Sequence, residues 1–379
     1  MNILYIGFFS LPDKDAAANR VLNNAKAFRM CGHNVILVDE QTDYQYENFQ
    51  NSKHNVQGFD SWSLKRPKGV MSCLGKMFDC VAVKYLLNYY DSIDLIIAYN
   101  YPAIALEKIR RICRNREIMI AADCTEWYSG KEYNFPLNIL CALDSFVRMN
   151  IIHKRLDGII SISSFLDSYY KNYNSIFIPP LVDLSEEKWN CTVKKLNSNL
   201  NLVYSGNPGK NKENLLPIIE AINLSSNKGI LLKIVGLSKE HFLDLYLGSD
   251  LILDENIQFL GRISHSDNLK VVKASDFLVF FRDKTRVNQA GFSTKFVEAI
   301  SLGTAVVTTD TGDLKEYIHK YKCGIIIKNK NDLVQILNSD MNSLKKYSKD
   351  AMQSSTIFDY HNYTSKIACW IGSMKKRRN

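Results

Sequence analysis

The hydrophobic and polar positions of this chain follow two patterns that alternate from one end to the other. Short apolar runs favour strands buried on both faces, and the segments between them repeat their apolar positions at helical spacing. In the first half this pattern predicts strands at residues 2–7, 34–38, 95–99, 118–122 and 158–163, with helices at 16–29 and 103–114. The polar stretch 41–68 has no clear period, and it predicts no defined element.

The alternation restarts after the proline pair Pro179 and Pro180, which suits an interdomain turn because proline cannot continue a strand ladder. It predicts strands at 202–205, 231–235, 257–260 and 277–281, and helices at 214–224, 294–302 and 363–374. Strands that alternate with helices are typical of an α/β fold with doubly wound parallel sheets, which bind ligands at the carboxyl ends of the strands. We therefore expect domains at 1–182 and 183–355, and a final helical segment with a basic tail at 356–379.

Composition and charge narrow the class of protein. The 379 residues suffice for two domains with separate cores, and no apolar run approaches the length that spans a bilayer. The amino terminus runs from a strand into charged residues, so it predicts a cytoplasmic protein rather than a secreted one. Nine scattered cysteines without metal spacing indicate buried thiols, and no metal is expected. The net charge of +9 favours an anionic partner, and no nucleic-acid-binding signature accompanies it.

The segment from Gly291 to Tyr317 carries the strongest chemical signal. Ser293 and Thr294 are good N-cap residues for the predicted helix, and the backbone N–H groups of its first turn lie at the positive end of the helix dipole. With the Lys295 ammonium nearby, this is a suitable place for a phosphate, and Glu298 can accept hydrogen bonds from sugar hydroxyls. The alternative is an ordinary capped helix with a solvated glutamate.

A glycine-rich turn precedes the helix predicted at 214–224. Gly206 would allow close approach of the backbone, and Lys210 and Lys212 would supply charge to a diphosphate. The ending of a Walker loop is missing, so a structural turn with solvated lysines stays open. Arg282, at the end of the strand predicted at 277–281, is a further candidate for the same ligand.

In the first half, polar residues follow the strand predicted at 118–122. Asp123 and Glu126 would face a ligand at the carboxyl end of that strand and could contact a hydroxyl of that ligand, although the pair also suits helix capping. Gly7 lies in the first strand-to-helix loop, where a plain loop is the alternative. Arg20, early in the next helix, could reach the ligand or lie on the surface.

Residues 291–317 resemble the nucleotide-sugar signature of the family-4 glycosyltransferases, retaining enzymes of GT-B fold. The matching residues are Gly291, Phe292, Glu298, Ala299, Gly303, Val306, Val307, Gly312 and Glu316. The chain departs from the family at Ala290, where a glutamate is usual, at Ser293, where glycine is usual, and at Asn207, where arginine is usual. Lys212 falls at the family's lysine position.

The resemblance implies two Rossmann-like domains that face one another across a cleft, with the acceptor in the first and the nucleotide sugar in the second. It also implies transfer of a hexosyl group to a hydroxyl with retention, in bacterial capsule, O-antigen or other surface polysaccharide synthesis. Glu298 would bind the ribose of a UDP- or GDP-sugar, and Lys212, Lys210 and Lys295 would stabilise the leaving diphosphate. A nucleotide-sugar epimerase and a noncatalytic partner subunit are the alternatives.

The acceptor is less well defined by the sequence. Residues 65–84 and 135–154 combine basic residues with long apolar ones, which suits either peripheral contact with an anionic membrane or a surface helix packed on its own domain. By resemblance, the acceptor would be a saccharide or a saccharide linked to polyprenyl diphosphate.

Overall fold

The computed structural model describes residues 1–130, 135–192, 200–206, 208, 213–246 and 253–376. The chain forms two compact units. The first comprises Met1–Leu181, Ala290–Phe292 and Tyr360–Asn379, and the second comprises Val182–Gln289 and Ser293–Asp359. Within the described residues, no helix is long and apolar enough to cross a membrane.

The first unit contains an eight-stranded sheet. Its strands are β1 (Asn2–Gly7), β2 (Asn34–Gln41), β3 (His54–Val56), β4 (Phe59–Lys65), β5 (Leu95–Tyr99), β6 (Met119–Cys124), β7 (Gly158–Ser161) and β8 (Ser175–Phe177). Their order is β3-β4-β2-β1-β5-β6-β7-β8, and all pairs are parallel except β3 with β4. Alternate residues of β1 enter cores on opposite faces of the sheet, with Tyr5 on one side and Leu4 on the other. Burial on both faces explains why these strands are continuous apolar runs.

Helices cover both faces of this sheet. They are α1 (Ala16–Met30), α2 (Val70–Lys76), α3 (Val81–Tyr89), α4 (Ala103–Asn115), α5 (Leu137–Val147), α6 (Ser164–Tyr169) and, from the end of the chain, α15 (Thr364–Ser373). Asp15 caps α1, because its side chain accepts a hydrogen bond from the N–H of Ala18. Helix α15 packs against α1, and the Trp370 indole donates to the carbonyl of Asn174 at 3.2 Å.

The second unit contains a six-stranded parallel sheet. Its strands are β9 (Leu200–Ser205), β10 (Ile230–Val235), β11 (Ile257–Gly261), β12 (Phe277–Phe280), β13 (Ala305–Thr309) and β14 (Gly324–Ile327). Their order is β11-β10-β9-β12-β13-β14, so the direction of winding reverses between β9 and β12. The helices are α7 (Leu216–Leu224), α8 (Lys239–Leu245), α9 (His265–Ala274), α10 (Arg286–Ala290), α11 (Thr294–Ser301), α12 (Leu314–Tyr321), α13 (Lys330–Leu337) and α14 (Met341–Gln353).

The two sheets confirm the predicted α/β fold class of doubly wound parallel sheets. Every predicted strand exists, and the strands predicted at 2–7 and 95–99 have the observed bounds of β1 and β5. The stretch 41–68 was wrongly assigned no element, since it contains β3 and β4. Phe59 and Trp62 of β4 are buried, but the polar residues around them hide the strand pattern.

Candidate active site

The reversal of winding in the second unit brings two loops together at one edge of the sheet. Gly206 directly follows β9, and Arg282 lies just beyond β12. Connections from β9 and β12 leave in opposite directions, and a crevice at the carboxyl ends of the strands is the usual result. Thr309, at the end of β13, fixes the backbone of Arg282, because its Oγ1 accepts from the Arg282 N–H at 2.9 Å and donates to the Arg282 carbonyl at 2.6 Å.

A buried carboxylate, Glu213, organises two cations at this edge. The Lys295 ammonium forms an ion pair with Glu213 Oε2, and the Arg282 Nε lies 3.9 Å from Glu213 Oε1. The hydroxyl of Tyr204 donates to Glu213 Oε2 at 2.7 Å. Two positive charges therefore share one negative charge, and the excess positive charge suits a phosphate group.

Aromatic rings complete the surroundings of Lys295. Its Nζ lies 4.3 Å from the ring centre of Tyr204 and 5.7 Å from that of Phe280, within the range of cation–π attraction. Burial alone would raise the pKa of Glu213, but the charges of Lys295 and Arg282 outweigh burial and hold that pKa below its usual value. Glu213 is therefore ionised at neutral pH and holds Lys295 in place.

Gly206 is the residue over which Lys295 lies. Its φ of +125° is rare for any residue with a side chain, and a Cβ added there would lie 3.0 Å from the Lys295 Nζ. Glycine at this position thus serves both the backbone conformation and the place of the ammonium group.

Replacing Gly206 with alanine tests this close approach. We expect Gly206→Ala to strain the backbone, to displace the Lys295 ammonium from Glu213, and to weaken nucleotide binding about tenfold. Gly372→Ala is the matched control, because among the described residues outside its own helical turn no atom lies within 4 Å of an added Cβ. Isothermal titration with UDP measures the effect, and equal affinities for the two variants would contradict this role of Gly206.

Helix α11 carries the second part of the candidate site. Ser293 caps it, since its Oγ accepts from the Phe296 N–H at 3.4 Å, and the predicted cap is therefore present. Glu298, one turn in, receives a contact of 3.1 Å from the His265 Nε2 at the start of α9. This contact fixes one oxygen of the carboxylate.

The other residues predicted to bind the donor lie near the start of α11 or outside the described residues. Thr294 is the first residue of α11, at the positive end of its dipole. Gly291 and Phe292 directly precede the cap, belong to the first unit, and Phe292 is buried. The predicted Lys210 and Lys212 lie outside the described residues.

The structure places Asp123 and Arg20 differently from the prediction. The Asp123 carboxylate is fully buried, and Arg20 binds it with Nη2 to Oδ1 at 2.7 Å and Nε to Oδ2 at 3.0 Å. Tyr5 also donates to Asp123 Oδ2, and Arg20 Nη1 donates to the carbonyl of Ile178 at 2.9 Å. Because protein groups bind both carboxylate oxygens, contact with an acceptor hydroxyl does not fit Asp123. Arg20 does not lie on the surface, since it is buried and its guanidinium binds Asp123 and the carbonyl of Ile178.

The first unit has its own reversal of winding, between β1 and β5, and a cavity lies beside it. Gly7 ends β1 so close to β5 that a Cβ would lie 2.5 Å from the Cβ of Tyr99, so no larger residue fits. The next residue, Phe8, stacks on Tyr101 with ring centres 5.8 Å apart. The cavity measures about 320 Å³ and is mainly apolar. Its lining includes Phe8, Leu74, Met77, Asn100, Leu140 and Arg148.

Arg148 is a buried cation in the lining of this cavity, which also includes Lys76. Its Nη1 donates to the carbonyl of Asn100 at 3.0 Å and lies 3.8 Å from Asp144 Oδ2, while its Nε and Nη2 have no hydrogen-bond partner among the described residues. Tyr128 lies beside it, with the guanidinium carbon 5.4 Å from the ring centre. The Tyr128 hydroxyl in turn bonds to the half-buried Glu126, so this predicted residue lies next to the cavity.

The sequence predicts that the protein needs no metal ion. Within the part of the chain that the structure describes, no three His, Cys, Asp or Glu residues are grouped as metal ligands. The absence of a metal requirement stays a prediction.

The sequence of the second unit is similar to a known protein family. Residues 192–353 match the family model described as glycosyl transferases group 1. This part of the second unit is therefore similar to a group 1 glycosyltransferase domain. Glu213, Arg282, Lys295 and Glu298 all lie inside the matched range. None of the curated proteins matches this sequence.

Solved structures of glycosyltransferases share the fold over nearly the whole chain. Sucrose-phosphate synthase from Thermosynechococcus elongatus is 14% identical with a TM-score of 0.71, covering 98% of each chain. HepE from Anabaena in complex with UDP-glucose is 15% identical with a TM-score of 0.65, covering 99% of this chain and 100% of that one. WaaG, described as a glycosyltransferase involved in lipopolysaccharide biosynthesis, is 13% identical with a TM-score of 0.64, covering 98% and 100%. The fold is GT-B, as predicted.

Two residues of the candidate site, Glu213 and His265, were not predicted from the sequence. Glu213 follows Lys212 directly, but its contact with Lys295 spans 82 residues, and no local pattern indicates it. His265 stands in a Ser-His-Ser-Asp helix start, which indicates a cap rather than a partner for Glu298. An acidic residue next to the predicted phosphate lysines was the only available signal.

Proposed function

We propose that this protein is a retaining glycosyltransferase that moves a hexosyl group from a nucleoside diphosphate donor to a hydroxyl of a saccharide or lipid-linked saccharide, in surface polysaccharide synthesis. The observation that carries the proposal is the group of Lys295 and Arg282 around Glu213, with Lys295 next to Gly206, in a domain that matches the group 1 family model. The UDP-glucose bound to HepE and the described role of WaaG support the donor class and the pathway.

In the proposed reaction, the bond between the sugar C1 and the diphosphate oxygen breaks, and a bond from C1 to the acceptor oxygen forms. The nucleoside diphosphate leaves with the bonding electron pair, so negative charge develops on its terminal phosphate. Lys295 and Arg282 would stabilise that charge, because both are held in position before the reaction begins. The leaving phosphate would take the proton of the acceptor hydroxyl.

The other residues of the donor site would bind and orient the nucleotide. Glu298, held by His265, would accept hydrogen bonds from the two ribose hydroxyls. Phosphate oxygens would lie at the N-terminal turn of α11, near Ser293 and Thr294. Lys210 and Lys212 would add positive charge, and no metal ion would be needed.

The acceptor would bind in the first unit, at the cavity beside β1 and β5. This position follows the general rule for ligands in α/β sheets, since the cavity lies where the winding reverses. Its mainly apolar lining suits the apolar part of a lipid-linked acceptor, and Arg148 would attract the phosphate of such a lipid. Glu126, next to Tyr128, would contact the saccharide.

A thermal-shift panel of nucleotides and nucleotide sugars tests the proposal. We expect one class, UDP or GDP, to raise the melting temperature, because a ligand that binds the folded state stabilises it. In Glu298→Ala the shift should largely disappear, while Glu255→Ala, at an exposed glutamate before β11, should keep it. If no nucleotide shifts the melting temperature, or if Glu298→Ala keeps the full shift, the proposed donor site is wrong.

A further inference from the structure

Helix α5 exposes large apolar side chains and buries a polar one. Its only fully buried residue is Ser145, whereas Ile139, Leu143 and Phe146 are 51%, 57% and 60% exposed. These three side chains stand four and three residues apart, so they form one stripe along the helix. A soluble helix normally turns such a stripe towards its own core. The stripe therefore faces away from the unit to which α5 belongs.

The other face of α5 covers the cavity. Leu137, Leu140 and Cys141 line it from this side, and Cys73, Leu74 and Met77 line it from α2 and its end. Helix α2 has no buried residue, and its Met71 is 81% exposed. The two helices thus flank the apolar cavity and both present large apolar side chains outward.

The charges around this surface are mainly positive. Residues 65–90 contain five basic residues and one acid, Asp79, and two of the five, Arg66 and Lys76, pair with acids of other elements. Residues 135–155 contain one acid, Asp144. Asp79 accepts from the N–H of Val81 and Asp144 from the N–H of Ala103, so each carboxylate caps the start of a helix. Lys65 and Lys68, just before α2, are exposed.

We propose that α2 and α5 form a docking surface for an anionic lipid bilayer. The apolar stripe of α5 enters the boundary between headgroups and acyl chains, and the lysines before α2 contact anionic headgroups. Charge favours this occupant, because a bilayer supplies an apolar layer beneath a negative surface, which complements the stripe and the lysines. Docking also deepens the proposed function, since it brings a lipid-linked acceptor to the cavity between these helices.

Vesicle flotation with the purified full-length protein tests the proposal. Vesicles of phosphatidylcholine alone are compared with an equal mixture of phosphatidylcholine and phosphatidylglycerol. We expect binding to the mixed vesicles, and the combined variant Ile139→Ser, Leu143→Ser, Phe146→Ser should lower the partition coefficient at least about tenfold. The matched control replaces Leu224, Leu243 and Met352 with serine, since these side chains of the second unit are 61%, 47% and 57% exposed.

A charge variant and a measurement of the oligomeric state test the proposal further. Lys65→Glu with Lys68→Glu, which leaves α5 unchanged, should remove most of the preference for phosphatidylglycerol. The proposal is overturned if the wild type binds neither vesicle, or if the α5 variant binds as the wild type does. It is also overturned if light scattering shows that the wild type is a dimer and the α5 variant a monomer, and the wild type does not bind vesicles. A second copy of the chain would then cover the stripe. No donor is present in the flotation, so the thermal shift with nucleotides tests the proposed function separately.

Discussion

Replacing Lys295 with methionine is expected to lower kcat/KM for the donor about a hundredfold to a thousandfold. Lys295 supplies a preorganised charge where the leaving diphosphate develops its own, and loss of one such group typically has an effect of this size. Methionine is close to lysine in length and fills the space beside the Tyr204 ring, and Glu213 keeps Tyr204 and Arg282 as neighbours, so the fold should survive. The measurement is release of nucleotide from the donor that the panel selects, with water in place of the acceptor hydroxyl.

Two companion variants separate charge from position. Lys270→Met is the matched control, because this lysine is exposed and pairs only locally with Asp267 at 2.8 Å; it should keep full activity. Glu213→Gln keeps both cations but removes the carboxylate that holds them, so donor turnover should fall although Lys295 and Arg282 remain. Full activity in Lys295→Met would exclude this residue from the reaction.

Replacing Asp123 with alanine is expected to destabilise the protein by about 3–5 kcal/mol. The change leaves the Arg20 guanidinium buried without its counter-charge, and breaking a buried ion pair from one side has a cost of this order. Tyr5 also loses its acceptor in the same change. Urea unfolding followed by circular dichroism measures the difference.

A double variant distinguishes structure from catalysis at this position. Asp123→Asn with Arg20→Gln removes both charges, so it should be more stable than the sum of the two single changes implies. A catalytic Asp123 would behave otherwise: the single variant Asp123→Asn would keep its stability and lose activity. That result would restore the role that the sequence suggested.

The sequence predicted the parts of this molecule that depend on local pattern. Continuous apolar runs identified the strands because most of them are buried on both faces, and the Ser293 cap identified the start of α11. The same helix start indicated Lys295, and the resemblance to the family signature supported Glu298. The structure places Lys295 beside Gly206 and Arg282, two other residues that were predicted for the same ligand.

Long-range polar pairs could not be predicted in this way. Asp123 follows a strand at the position where ligand-binding residues are common, but Arg20, 103 residues earlier, fills that position from α1. Glu213 and Lys295 are a second long-range pair, 82 residues apart. No periodicity links such residues, because the contact depends on how the helices pack on the sheet. The exposed stripe of α5 was ambiguous for the same reason, since its apolar pattern also suits a buried helix.

Calorimetric titration of UDP and uridine tests the central claim most directly, because the two ligands differ only in the diphosphate. If Lys295 and Arg282 bind that diphosphate, the wild type binds UDP far more tightly than uridine, and Lys295→Met loses most of this difference while its affinity for uridine is unchanged. The same comparison with GDP and guanosine covers the other nucleotide class. Equal affinities of the wild type for nucleotide and nucleoside, or an undiminished preference in Lys295→Met, would contradict the account.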